Sequence, residues 1–153
     1  MEGPIILSAG VFRSARCRRL GLAGVLLLCC SALPAFAGSV KVITSPEHAR
    51  QALDRGFVQA AFTMRLRRWP DGSPVRVFVL PDADPAHAQF SREELGTYPY
   101  VLRSIWDRLV FTGTGFAPTV VASEEEMWRR VRSTPGAIGY VRTANAREAE
   151  KKQ

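Results

Sequence analysis

The chain runs to 153 residues, with 21 basic against 14 acidic side chains and a formal net charge of +7. That length allows one ordinary domain. The three cysteines, Cys17, Cys29 and Cys30, all fall near the amino end, so the rest of the chain can form no disulfide and do no thiol chemistry.

Residues 1–37 read as a secretory signal peptide. Arg13, Arg16, Arg18 and Arg19 make a positive start, Leu20 to Cys30 an apolar middle, and Ala35-Phe36-Ala37 a small-x-small cleavage site. An uncleaved anchor is the competing reading, but the apolar stretch is short for a membrane span and carries Pro34 near its end. Lipidation at Cys29 or Cys30 would want a small residue before the cysteine, where Leu28 or Cys29 stands. Arg18-Arg19 is followed by Leu20-Gly21, a poor match to twin-arginine export. Cleavage after Ala37 would take four basic residues and Glu2 with it and leave a net charge of +4. So modest a balance in an exported domain argues against nucleic acid and for small anions or envelope surfaces as partners. Residues 38–153 suffice for one core but not for two lobes.

Val40 to Ile43 alternates with Lys41 and predicts a short first strand. Ser45-Pro46-Glu47 has the order of N-cap, first-turn proline and first-turn acid, predicting a helix to about Arg55 that Gly56 ends. Phe57, Ala60, Ala61 and Met64 predict a second short helix running out into Arg65, Arg67 and Arg68. Asp71-Gly72 is a turn dipeptide, and Val75 to Leu80 is apolar except for Arg76, as a strand covered on both faces requires. Pro81-Asp82 ends that strand. Asp84 suits an N-cap with Pro85 at the first helical position, where a missing N–H costs nothing. Phe90 and Leu95 then fit an amphipathic helix ending at Gly96.

Tyr98-Pro99-Tyr100 starts the clearest helix, with Val101, Leu102, Ile105, Trp106, Leu109 and Val110 at helical spacing. Thr112-Gly113-Thr114-Gly115 breaks it, and Pro118 to Val121 is a short strand or an extended arm. Ser123 with Glu126 forms a capping box for a helix to Arg132. Thr134-Pro135-Gly136 turns the chain into a last strand, Ala137 to Val141. Residues 143–153 carry charge and almost no apolar side chains, which predicts a frayed tail or a loose helix. No internal repeat is present.

Phe62, Trp69-Pro-Asp-Gly72, the strand Val75 to Val79, Phe90, Leu102 with Trp106, Phe111-x-Gly113, and above all Thr134-Pro-Gly-Ala-Ile-Gly-Tyr-Val141 carry a resemblance. Together they resemble one lobe of the phosphate-binding proteins of ABC transporters, members of the type II periplasmic binding superfamily. The resemblance covers about Val40 to Val141 and implies an anion site in a cleft between two lobes, of which this chain has one. Family members usually follow the strand with an Arg-Pro-x-Gly-Ser-Gly-Thr-Arg type of stretch that grips phosphate. Laid on that pattern, Leu80 stands for the first arginine and Pro81 for the proline. Asp84, Pro85 and Ala86 stand for Ser-Gly-Thr, and His87 for the second arginine. Asp84 brings negative charge, Pro85 removes a donor, Ala86 removes a hydroxyl, and His87 is mostly neutral at pH 7. Phosphate binding in the family manner is predicted to be lost.

The loop after a strand, leading into a helix N-terminus, is where α/β sheets place ligands. The candidate ligand-binding residues are therefore Asp82, Asp84 and His87, with Arg76 and Arg103 as the nearest helpers. A metal cluster of Asp82, Asp84 and His87 is set aside in favour of a capping Asp, a turn Asp and a solvent-facing His, because His48 is the one other His. The arginines at 65, 67 and 68 suit a helix end better than an anion or partner patch. Arg129, Arg130 and Arg132 balance Glu124, Glu125 and Glu126 along their own helix. Trp69, Trp106 and Trp128 suit core and lid positions, and Ser104, Ser123 and Ser133 have no His and acid positioned by any recognisable motif.

The expected molecule is an exported, periplasmic α/β domain over residues 38–142, a single lobe of a type II periplasmic-binding-protein-like fold. Its small mixed sheet joins Val40–Ile43, Val75–Leu80 and Ala137–Val141, flanked by helices. It is expected to be non-enzymatic, without cofactor, metal, nucleic-acid partner or stable membrane anchor once the signal is cleaved. Its expected partner is a small phosphate-like anion or an envelope protein. The alternative is a protein–protein interaction module that has lost ligand binding.

Overall fold

Two apolar strands lie side by side in the middle of a four-stranded sheet. In the computed structural model, which describes residues 38–151, β1 (Val40–Thr44), β2 (Arg76–Val79), β3 (Thr119–Val120) and β4 (Ala137–Arg142) pair in the order β1-β4-β2-β3. The strand β4 runs antiparallel to β1, with Val42 opposite Tyr140, and parallel to β2, with Val77 beside Ile138. The edge strand β3 is parallel to β2, with Phe78 beside Thr119. The expected mixed sheet is thus observed, and the near-continuous apolar runs of β2 and β4 are its interior strands. The signal-peptide reading of residues 1–37 falls outside the described residues. Among those described, no helix is long and apolar enough to cross a membrane.

Five helices pack on this sheet: α1 (Arg55–Phe62), α2 (Pro85–Glu93), α3 (Pro99–Phe111), α4 (Glu124–Ser133) and α5 (Thr143–Lys151). Neighbouring residues of β4 face opposite ways. Tyr140 meets an aromatic cluster from the first three helices, its ring 3.9 Å from Phe90 and 5.8 Å from Phe62. Trp106 of α3 is fully buried with them and donates its indole N–H to the Phe62 carbonyl at 2.8 Å. Gly139, next to Tyr140, lets α4 close onto the other face. A Cβ there would stand 2.5 Å from Met127 Sδ and 2.9 Å from Val131 Cγ2. That close approach explains a glycine within a buried strand.

Local signals set several ends. Ser123 Oγ accepts the Glu126 N–H at 3.2 Å, and the Glu126 carboxylate accepts the N–H of Ala122 rather than that of the cap. After α3, Gly113 takes φ +66° and the N–H groups of residues 113–115 fold back on the carbonyls of Val110 and Leu109. The Thr112–Gly115 stretch is thus a helix-ending turn.

Three expectations are corrected. No helix runs from Pro46 to Arg55. A single 3-10 turn, Pro46–His48, forms there, because the Ser45 hydroxyl pairs with His48 Nδ1 (3.2 Å) instead of capping. The helix starts at Arg55, where the Asp54 carboxylate accepts the Phe57 N–H, and Gly56 lies inside its first turn. It ends at Phe62, so the arginines at 65, 67 and 68 lie beyond it, past Met64 at φ +61°. Finally, residues 143–151 form a helix, the second of the two readings expected for them, but one that is docked rather than loose. Ala146 is buried and the Thr143 N–H donates to Ser39 O at 2.8 Å.

Candidate functional site

The carboxyl end of β2 passes into a tight turn, closed by the Asp84 N–H donating to Pro81 O at 2.9 Å. The Asp84 carboxylate then accepts the Ala86 N–H at 2.8 Å, and Pro85 opens α2. The carboxylate therefore holds a donor that a helix N-terminus otherwise offers to an anion. Arg103, one turn inside α3, reaches across to Asp82 and donates twice, Nε to Oδ2 and Nη2 to Oδ1, each at 2.9 Å. Such a fork-to-fork pair is a strong and directional contact. These hydrogen bonds hold the Asp82 carboxyl below its ordinary pKa. The Arg103 guanidinium also sits over the Trp106 ring, 5.3 Å from its centroid.

Below the ion pair lies His87, fully buried rather than solvent-facing. Two hydrogen bonds meet at the Tyr140 hydroxyl beside it. The buried Leu80 N–H donates to Tyr140 Oη at 2.9 Å, and Tyr140 Oη lies 2.5 Å from His87 Nδ1. The tyrosine oxygen thus serves both the backbone of β2 and the imidazole. Nε2 has no hydrogen-bond partner; the nearest carboxylate oxygen, Asp82 Oδ1, is 3.9 Å away. Burial pushes the His87 pKa down, the opposing pull of Asp82 being smaller. Burial likewise pushes the Tyr140 hydroxyl well above its usual range. The histidine is thus neutral and wedged between Tyr140 and Trp106, with ring centroids 5.9 and 6.2 Å away.

The structure therefore gathers Asp82, Asp84, His87 and Arg103 at one loop. Arg76 is not among them: it opens β2 at the far end, where the strand's rise of about 3.3 Å per residue carries it away from the loop. Tyr140 belongs to this cluster but was not singled out by sequence reasoning. The signal available was a tyrosine inside a buried strand, whose hydroxyl must find a partner. Among the described residues, no group of three or more His, Cys, Asp or Glu is placed to hold a metal ion.

At the opposite end of β2 a second histidine does a different job. His48 stacks on Trp69, with centroids 4.1 Å apart, pairs at Nδ1 with the Ser45 hydroxyl (3.2 Å), and approaches Asp71 Oδ2 at 3.0 Å with Nε2. Asp71 in turn accepts from the Ser73 N–H (2.8 Å) and hydroxyl (2.6 Å), and these bonds draw its pKa down to about 2. Ser45 is wholly buried, so this Ser-His-Asp chain ties two turns together and presents no nucleophile. The Trp69 indole completes the clasp by donating to Gly136 O at 2.9 Å.

The sheet order, the helices on both faces and the capped loop at a strand's carboxyl end make a mixed α/β domain. Among solved structures the chain is similar to PstS from Borrelia burgdorferi, with a TM-score of 0.51 and 16% sequence identity over 75% of this chain. It spans 44% of that protein's length, less than half. At such low identity the likeness is one of fold. No protein-family model matches the sequence, and no curated protein matches it.

Proposed function

We propose that the protein is an exported, non-enzymatic domain related to the phosphate-binding proteins of ABC transporters, with an anion site closed by its own carboxylates. One observation carries this reading: the α2 N-terminus and the Arg103 guanidinium, the two features that could draw an anion to the Asp82–His87 loop, each already hold a carboxylate of this chain. The α2 N-terminus is capped by Asp84, and the Arg103 fork is filled by Asp82. An incoming anion about 4 Å from Asp84 meets repulsion of roughly 4 kcal/mol at an effective dielectric of 20. The attraction of a helix N-terminus, about 0.3–1 kcal/mol, does not offset that. The neutral His87 adds no charge to help.

The same occupancy favours a second function for the fold, as an envelope module that binds another protein. Phe111 and Phe116, 93% and 88% exposed, are available for such contact. Titration calorimetry of the full chain with inorganic phosphate tests the first statement, and no heat of binding up to millimolar phosphate is expected. Micromolar binding by the unaltered protein would overturn it. Export is tested separately by sequencing the amino end of the protein recovered from the periplasm, which should begin at Gly38.

A further inference from the structure

Beside β2, next to the edge strand β3, a groove of about 470 Å³ opens. It is lined by residues 74–78, at and just before the start of β2, and by the segments around Leu66 and Phe116. Nine of its twelve lining residues are apolar, and the charges among them are Arg67 and Arg76, with no acidic side chain. Among the described residues neither arginine has an ion-pair partner. Arg67 donates to the Thr114 carbonyl, which leaves most of its N–H groups free, and Arg76 projects into solvent. Arg65 and Arg68 lie nearby in the chain and bond to a hydroxyl and a carbonyl, so the positive charge is not balanced locally. The adjoining edge strand, β3, is two residues long, ends the sheet order and is exposed at both positions.

These features choose among occupants. An apolar trough with cations at its side and an open sheet edge matches an extended polypeptide, whose alternate side chains enter the trough while its backbone follows the edge. A flat lipid surface would not fill a concavity, and a second copy of this chain would bring the same positive charge to the same face. We infer that this groove docks an extended acidic segment of a partner protein, its apolar side chains seated between Leu66, Phe78 and Phe116 and its carboxylates on Arg67 and Arg76. The inference deepens the interaction-module reading above and rests on it, naming the surface and the chemistry of the partner.

The test uses the full chain and a labelled synthetic peptide alternating glutamate with valine and phenylalanine. Fluorescence anisotropy should show saturable binding, and the same peptide with lysine for glutamate should not bind. Arg76→Glu and Phe116→Asp should each weaken binding about tenfold or more, while Arg92→Glu on exposed α2 should leave it unchanged. Both altered side chains are exposed, and circular dichroism checks that the variants fold. Hydrogen exchange supplies a second readout that needs no variant: peptide should slow exchange at residues 75–78 and 116–119. Failure to bind, equal binding of the lysine peptide, or protection elsewhere would overturn the inference. So would preferential binding to phosphatidylglycerol vesicles, or a dimer in sedimentation velocity that Phe116→Asp abolishes. None of these results depends on the phosphate titration, so either reading can fail alone.

Discussion

The two ends of β2 use the same pair of residue types, a histidine and an aspartate, to opposite effect. At the amino end, His48 has a partner on each nitrogen, and Asp71 stays at the surface, held by the turn it belongs to. At the carboxyl end, Asp82 is engaged by Arg103, and His87 is left with one nitrogen bonded to Tyr140 and the other unpartnered in the core. The difference lies in the arginine. A carboxylate that takes a bidentate guanidinium is no longer positioned to accept from the imidazole. The first histidine fastens two loops; the second is a buried neutral wedge under a closed ion pair.

The largest expected effect breaks the carboxyl-end network alone. Tyr140→Phe removes the hydroxyl that accepts from Leu80 and pairs with His87 Nδ1. It would leave a buried N–H and a buried ring nitrogen unsatisfied, at a cost of about 3 kcal/mol. Ser73→Ala at the other end removes one hydroxyl bond to an exposed carboxylate and a 3.3 Å contact with His48 Nε2, both of which water can replace, while the backbone bond to Asp71 stays, so the loss should be much smaller. Urea unfolding of the two variants checks the contrast; equal losses would mean that the ends do not differ in burial as described.

An intermediate effect separates the ends by pH. His87 has a folded pKa depressed by burial from its unfolded value near 6.5. Its contribution to stability is therefore complete above pH 6.5 and is lost as pH falls from there toward the depressed value, because the unfolded chain takes up the proton first. Asp71, drawn from 3.8 to about 2, contributes fully above pH 3.8 and loses that contribution as pH falls toward 2. Thermal unfolding against pH should show both falls. His87→Asn, which keeps an acceptor near Tyr140, should remove the first, and Asp71→Asn the second. A profile flat between pH 4 and 6.5 in the unaltered protein would contradict the buried neutral histidine.

How legible this was depended on the range of the interactions. The interior strands and α3 showed through because apolar runs and helical spacing report burial directly, and Asp84-Pro85 and Ser123-Glu126 act within one turn. The start of α1 did not, because Ser45-Pro46 and Asp54 are both good caps. What decides between them is His48, which draws the Ser45 hydroxyl away while stacking on Trp69, 21 positions further on. The loop site was half legible. Asp82, Asp84 and His87 are neighbours in sequence, and Arg103 follows on the next helix. His87 was expected in solvent because its partner Tyr140 is 53 residues away and enters only through strand pairing. Arg76 seemed close by counting residues, but an extended strand turns that nearness into distance.

The smallest expected loss of stability touches the arginine itself. Asp82→Asn would break the fork with Arg103, yet both side chains are about one-third exposed, at 38% and 34%. Solvent screening limits such a pair to about 1 kcal/mol or less. The effect on His87 should be easier to see, because Asp82 pulls the histidine's pKa up and Arg103 pushes it down. Without the carboxylate, the remaining cation should make His87 still harder to protonate, a shift readable by NMR titration of its ring carbons. The variant also frees the one guanidinium at the loop. Combined with Asp84→Ser, which returns a hydroxyl to the α2 cap, it should give the loop a weak phosphate affinity, above any measured for the unaltered chain. If the double variant stays silent to phosphate while His87 shifts as expected, the carboxylates are not what closes the site, and the missing grip must lie in donors this chain does not have.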